Sequence, residues 1–216
     1  SPIDEKKLTS NFYRRLAYDE IFAHLLVMSK NRKKIKKIKK NSKIFKKKFK
    51  EKIVNSLPFK LTKSQQKVIN EIEIDLQSKN KMFRILQGDV GSGKTIVSLI
   101  GVANVVESGY QCAFMAPTSI LAIQHYELAR KIFKNINIKI ALLTGKTDYK
   151  QKKEILKDLE NNKIDLVIGT HSLFQKKIIF KKLGLIIVDE QHKFGVKQRM
   201  DLAKKGSDEC DVLLMS

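Results

Sequence analysis

Six short apolar runs, continuous rather than alternating, constrain the fold of this chain more than any other feature. They are MFRIL (82–86), QCAFMAP (111–117), KIALLT (139–144), DLVIGT (165–170), LGLIIVDE (183–190) and DVLLMS (211–216). A strand with one wet face alternates apolar with polar residues, whereas a run that stays apolar is covered on both faces. Helix-length segments with polar faces lie between them, at 94–107, 118–134 and 148–160. Strand, helix and strand in repetition predict an α/β fold, a mainly parallel sheet sandwiched by helices with right-handed crossovers. No internal repeat is evident.

The first of these runs leads into LQGDVGSGKT (86–95). Three glycines in six residues are costly in backbone entropy, so bare backbone is needed there. Gly88-x-x-x-x-Gly93-Lys94-Thr95, between a strand and a helix, is the phosphate-binding loop pattern. Its residues Gly88, Asp89, Val90, Gly91, Ser92, Gly93, Lys94 and Thr95 are expected to cradle a nucleoside triphosphate, ATP, with backbone N–H groups and a helix N-terminus. Lys94 would reach the β- and γ-phosphates, and the Thr95 hydroxyl would sit on Mg²⁺. A second half of the site is expected where LGLIIV stops: Asp189 to bind Mg²⁺ through its water shell, and Glu190 to orient and polarise the attacking water.

Charge divides the chain. The formal net charge is +22, with 19 Lys and Arg against 5 Asp and Glu in residues 1–60 and 25 against 17 in the remainder. A basic excess of this size points to a polyanionic partner, most simply nucleic acid, and the lysines of 30–50 are the natural candidates to face it. Only six of the 44 basic residues are arginine, so a generally lysine-rich solvated surface is the competing explanation. Leu16, Ile21, Leu25 and Met28 recur at helical spacing and predict an amphipathic helix that runs into the lysine tract. Pro58 marks a linker. The expected division is a basic helical extension over 1–56 and the α/β lobe over 57–216. No apolar run is long enough to span a membrane and no secretory leader is visible at the N-terminus. Cys112 and Cys210 are too far apart for a metal-spaced pair, so a reducing cytoplasm is the expected location. His24 and His125 read as surface or packing residues.

Further motifs in order make the pattern specific. DEQH (189–192) followed by KFGVKQR (193–199) resembles the RecG branch of superfamily 2 helicases, bacterial translocases that remodel branched DNA. RRLAYDEIFAHLLVM (14–28) is similar to the segment that joins that family's wedge domain to its motor, and LPFKLTKSQQKVINEI (57–72) to its adenine-side motif. MAPTSILAIQHYE (115–127), LLTGKTDYKQKKEIL (142–156) and VIGTHSLFQ (167–175) resemble its DNA-facing motifs. The resemblance implies a RecA-like first motor lobe. It implies that Gln65 reads the adenine edge, although Thr62-x-x-Gln65 is also a capping box. It assigns DNA contacts to Pro117, Thr118, Gly169, Thr170 and His171, with Thr118 as an ordinary N-cap and His171 as a structural residue the alternatives. It also assigns coupling between nucleotide and DNA to Gln191 and His192. Forked or branched DNA would be the partner, together with a second RecA-like lobe and a wedge domain that this sequence does not contain. Of the family's Ser-Ala-Thr motif only Ser216 is present. A transcription-repair coupling translocase shares much of the pattern, but typically carries a second Glu where this chain has Gln191. A phosphate-loop NTPase without a DNA role, and a DNA-binding module without turnover, remain open as alternatives.

Overall fold

The apolar runs form six parallel strands in the computed structural model, which describes residues 38–46, 48–174, 178–190 and 210–216, and Arg15, Tyr18 and Phe22 of a helix near the N-terminus. The strands are β1 (Phe83–Leu86), β2 (Gln111–Met115), β3 (Ile140–Leu143), β4 (Leu166–Gly169), β5 (Leu183–Val188) and β6 (Asp211–Met215), in the order β1-β6-β5-β2-β4-β3. Every pairing is parallel. β2, β4, β5 and β6 are buried along their whole length, as their unbroken apolar character requires.

The helices are α1 (Lys48–Ser56), α2 (Lys63–Gln77), α3 (Lys94–Glu107), α4 (Ser119–Ile132) and α5 (Tyr149–Glu160). Handedness decides which face each covers. From β1 to β2 and from β2 to β3 the chain steps the same way across the sheet, so α3 and α4 pack on one face, where their residues share a core with Phe114, Ile168 and Ile187. From β3 to β4 it steps back, so a right-handed crossover puts α5 on the other face, with Ile155 and Leu159 against Leu143, Val167 and Ile186. α2 begins at the capping box foreseen in the sequence: Thr62 Oγ1 accepts from the Gln65 N–H, and Gln65 Oε1 accepts from the Thr62 N–H.

α3 departs from expectation. It has no polar face over Val97–Val105, where all nine residues are buried. The reason is the basic extension, since α1 packs directly on α3 and Ile53 of α1 is buried in the same core. Polar bonds follow the same route. Lys50 Nζ lies 2.7 Å from Glu73 Oε1, and Asn104 Nδ2 donates to that oxygen at 2.9 Å.

Residues 38–46 correct two further expectations. They contain no helix; Lys39 forms an antiparallel bridge with Asn80. Two of the lysines expected to meet a polyanion point inward instead. Lys40 Nζ and Lys43 Nζ each lie 2.6 Å from Asp211 Oδ2, and all three side chains are fully buried. Asp211 Oδ1 accepts from the Met82 N–H at 2.7 Å. Lys40 also donates to the Leu76 carbonyl at 2.8 Å, at the negative end of α2. Burial is the largest influence on Lys40 and holds its pKa below the usual lysine range, although Asp211 acts the other way. Lys39, Lys46 and Lys48 are exposed. The predicted helix positions Leu16, Ile21, Leu25 and Met28 lie outside the described residues; Tyr18 and Phe22 stack with ring centroids 6.1 Å apart.

Cys112 and Cys210 are free and buried, and burial pushes the Cys210 thiol up to about 12. No helix among the described residues is long and apolar enough to cross a membrane.

Removing one side of a buried ion cluster leaves uncompensated charge, which costs about 3–5 kcal/mol, whereas replacing the whole cluster with apolar residues is often neutral. Asp211→Ala should therefore lower the urea-derived stability by about that amount. The combined change Lys40→Met, Lys43→Met and Asp211→Leu should recover most of it. An Asp211→Ala variant as stable as the parent would show that the cluster is not what holds residues 38–46 to the sheet.

Candidate functional site

Six parallel strands end at one edge of the sheet, and register sets their last residues in a row. Leu86 pairs with Met215, Leu214 with Val188, Val188 with Met115, Met115 with Gly169, and Gly169 with Leu143. Each sequence-predicted site residue that follows a strand therefore emerges at this edge, where open α/β sheets bind ligands. β6 lies between the strand feeding the glycine loop and the strand feeding Asp189. It delivers Ser216 beside the loop: the Gly88 N–H donates to the Ser216 carbonyl at 3.2 Å, and the Ser216 N–H donates to Leu86 at 3.1 Å.

The loop 88–95 runs from β1 into α3. Gly91 and Gly93 have φ of +83° and +84°, a region that other residues rarely adopt. A Cβ at Gly93 would also lie 2.5 Å from Gln65 Nε2, so that side-chain end would have to move. Val90 at the tip is wholly exposed. Lys94 turns its ammonium back onto the loop, donating to the carbonyls of Gly88 and, at 2.9 Å, Asp89. Gly93 supplies no side-chain cap to α3, and the first turn of that helix has no acidic residue. The leading N–H groups of a helix have no partners within it, so this end fits an anion: uncapped donors, positive backbone dipole and one ammonium.

Gln65 is committed on both sides. Its Oε1 closes the capping box, and its Nε2 donates to the Ser92 carbonyl at 2.9 Å. It thus ties the start of α2 to the glycine loop, a contact with no signal in the sequence beyond the box itself.

Asp189 and Glu190 stand at the end of β5 as expected. Asp189 is buried and held through both oxygens: Oδ1 accepts from the Glu190 N–H at 3.0 Å, and Oδ2 lies 2.7 Å from His125 Nε2. Two bonds leave lone pairs free on a carboxylate that can accept about four, so it fits a hard divalent cation. Glu190 has φ of +51°, unusual for a residue with a side chain and often found at functional sites. His125 was the residue the sequence undersold. Ala122, His125, Ala129 and Ile132 form the buried stripe of α4, so its spacing placed it inward; nothing in the sequence placed it against Asp189.

On the far side of the edge, Thr118 is the N-cap of α4 and its hydroxyl accepts from the Leu121 N–H at 3.3 Å. The oxygen is used, and the hydroxyl hydrogen is left to donate. Pro117 is half-buried beside it. Gly169 is buried, and a Cβ on it would fall 2.0 Å from the Leu143 carbonyl oxygen; packing alone demands glycine there. Thr170 and the backbone of His171 follow, the latter opening a short 3₁₀ turn. Gln191 and His192 lie outside the described residues.

Comparison with known proteins places this geometry. Residues 62–216 match the family model described as DEAD/DEAH box helicase. The chain is 49% identical over 202 residues to the ATP-dependent DNA helicase RecG of Thermotoga maritima, covering 94% of this chain and 26% of that protein. It is 46% identical over 198 residues to RecG of Aquifex aeolicus, covering 92% and 25%. The chain thus spans about a quarter of the length of these relatives. Among solved structures, RecG bound to a three-way DNA junction superposes with a TM-score of 0.79 at 45% identity, covering 94% of this chain and 27% of that one. The DEAD-box helicase Mss116 shares the fold at a TM-score of 0.63 and 23% identity, covering 78% and 38%.

The close approach at Gly169 is open to measurement. Gly169→Ala forces a methyl group onto a backbone carbonyl at the β3–β4 junction, and overpacking of this kind costs about 1–3 kcal/mol. Gly145→Ala meets nothing within 4 Å and has no positive φ, so it should be close to neutral. Urea titration of both variants checks the contrast; equal stabilities would mean that the two strands do not meet as described.

Proposed function

The chain belongs to the DEAD/DEAH box helicase family, and from that premise we propose that it is the first motor lobe of an ATP-dependent translocase acting on branched DNA. The observation that carries the proposal is the shared edge: an anion-accepting glycine loop and a buried, doubly held carboxylate end neighbouring parts of one parallel sheet, in a chain similar to RecG over 94% of its length.

In this reading the loop residues Gly88, Asp89, Val90, Gly91, Ser92, Gly93, Lys94 and Thr95 surround the phosphates of ATP. The Lys94 ammonium exchanges its loop carbonyls for phosphate oxygens. Thr95 and Asp189 hold Mg²⁺, which supplies charge neutralisation on the phosphates. Glu190 orients the attacking water. Gln65 faces the adenine while keeping its cap, which leaves its Nε2, now on Ser92, as the group free to change partner. Support for the DNA side is positional. Pro117 and Thr118 follow β2, Gly169 ends the adjacent β4 with Thr170 and His171 after it, and Thr118 retains a donor hydrogen for a phosphate oxygen. Gln191 and His192 directly follow the water-orienting residue, as coupling residues should. The remaining three-quarters of a RecG-length protein would supply the second lobe and the wedge that grips the branch.

Phosphoryl transfer gains most from positioning and charge stabilisation. Among the described arginines, Arg15 is an exposed residue of the helix near the N-terminus, Arg84 is bound to Glu71 and Asp75, and Arg130 sits in the last turn of α4. The arginine on the transferring group is expected from the second lobe, and without it turnover should fall by about 10³–10⁵.

Lys94→Ala should weaken ATP far more than adenosine in calorimetric titrations, because only the phosphates meet the ammonium. Equal losses for both ligands would remove Lys94 from the phosphates. Glu190→Gln should keep Mg-ATP affinity and lower residual turnover, whereas a loss of affinity would move Glu190 into the metal site. In a phosphate-release assay the 216 residues should hydrolyse ATP barely above background, with or without forked duplex. Strong DNA-stimulated turnover would mean that the site is completed by another copy. ATP binding with no DNA affinity in the full-length protein would favour a phosphate-loop NTPase of another kind.

A further inference from the structure

The contact between His125 and Asp189 is foretold by none of the motifs that define the site, yet it joins two elements at its centre. Nε2 of His125 lies 2.7 Å from Asp189 Oδ2, with each side chain about one-tenth exposed. To meet a carboxylate, that nitrogen must carry a proton. The imidazole is itself fixed, because its ring packs on Phe114 of β2 with centroids 4.7 Å apart and planes tilted by 43°. Ala122 and Ala129, one turn to either side on α4, are completely buried. Small residues at both positions let the helix settle close to β3 and β4, which it packs against.

Two donors from different parts of the chain therefore clamp the carboxylate. The Glu190 N–H takes Oδ1 and His125 takes Oδ2. With both oxygens engaged the group cannot rotate freely, and its remaining lone pairs keep one direction. Orientation matters here because, among the described residues, no group of three or more His, Cys, Asp or Glu side chains converges as a cation site would. Among the described residues, a cation at this edge would rely on a well-held carboxylate rather than on a cage. An outer partner of a ligating carboxylate typically contributes 10–100-fold to metal affinity.

We propose that His125 is a positioning residue that holds the Asp189 carboxylate in the orientation that receives the divalent cation. The proposal rests on the reading of Asp189 as the metal carboxylate, and it assigns a role to a residue on a helix that otherwise faces the DNA side. A histidine that merely fills space beside Phe114 would affect stability alone. A positioning histidine affects the Mg²⁺ dependence of nucleotide binding specifically, and it can be replaced by another side chain that donates an N–H.

The test uses the 216-residue chain, a fluorescent ADP analogue and a Mg²⁺ titration. His125→Leu removes the donor and keeps apolar bulk; His125→Gln keeps a side-chain N–H. In His125→Leu the Mg²⁺ midpoint should rise about tenfold or more. Its affinity for the analogue in EDTA should stay within about twofold of the parent, and His125→Gln should recover most of the shift. An unchanged midpoint in folded His125→Leu overturns the proposal, as does a loss of affinity that is equal with and without metal. If His125→Leu does not fold, Phe114→Leu loosens the imidazole without touching the carboxylate and should raise the midpoint in the same direction; no rise overturns the proposal. Parent protein whose nucleotide affinity ignores Mg²⁺ would remove Asp189 from the metal site, and that outcome is read before any variant is made.

Discussion

Six strands that all run the same way are the constraint on which the rest of this molecule depends. Parallel pairing rules out tight hairpins between neighbouring strands and brings every described strand to its end at one edge. That edge gathers residues as far apart in sequence as Gly88, Thr118, Gly169, Asp189 and Ser216, although no local pattern brings them together. Ladder bonds persist as far as the Gly88 N–H on Ser216 and the Asp189 N–H on Met115, and the loops beyond them are free to take shapes that ligands need. The φ of +84° at Gly93 and of +51° at Glu190 occur at this edge, the first beyond the partly covered β1 and the second beyond the fully buried β5.

The opposite edge is closed differently. Where β6 begins, a single carboxylate, Asp211, meets two ammonium groups contributed by the basic extension. Such an arrangement is expensive to bury and stays favourable only when each charge is paired and hydrogen-bonded. Lys40 meets that condition through Asp211 and the carbonyl end of α2. The consequence reaches the centre of the fold. With 38–46 anchored there, α1 lies across α3 and completes the burial of the helix that starts at the glycine loop. The extension is thus a structural layer of the lobe over residues 38–46 and 48–56, and its described exposed lysines, rather than Lys40 and Lys43, carry its charge to the surface.

Much of this was legible in the sequence, and the limits have physical reasons. Continuous apolar runs announced the buried strands β2, β4, β5 and β6, whereas β1 and β3 at the two sides of the sheet are only partly covered, and the glycine loop announced a stretch of bare backbone ahead of a helix. Thr62 and Gln65 announced a helix start through a local rule. What stayed hidden was long-range. Lys40 and Lys43 look like any other members of a lysine tract, since only the arrival of Asp211, 168 residues or more away, turns them inward. The missing polar face of α3 depends on α1, and a helix cannot reveal in its own sequence which neighbour will cover it. His125 lay on a legible buried stripe, but its partner is set by sheet order. Gly169 appeared functional because of its place in a motif, whereas its lack of a side chain is already explained by the Leu143 carbonyl.

The central claim is that the carboxyl edge, and not the lysine-rich surface, is where the nucleotide sits. Amide-resolved NMR of the 216-residue chain, titrated with Mg-ADP, tests this most directly. The amides of Gly91 to Thr95, Asp189, Glu190 and Ser216 should shift together on one binding curve, while those of Lys40, Met82 and Asp211 at the opposite edge stay in place. Shifts concentrated in the lysine tract or at Asp211, with the glycine loop silent, would contradict the account.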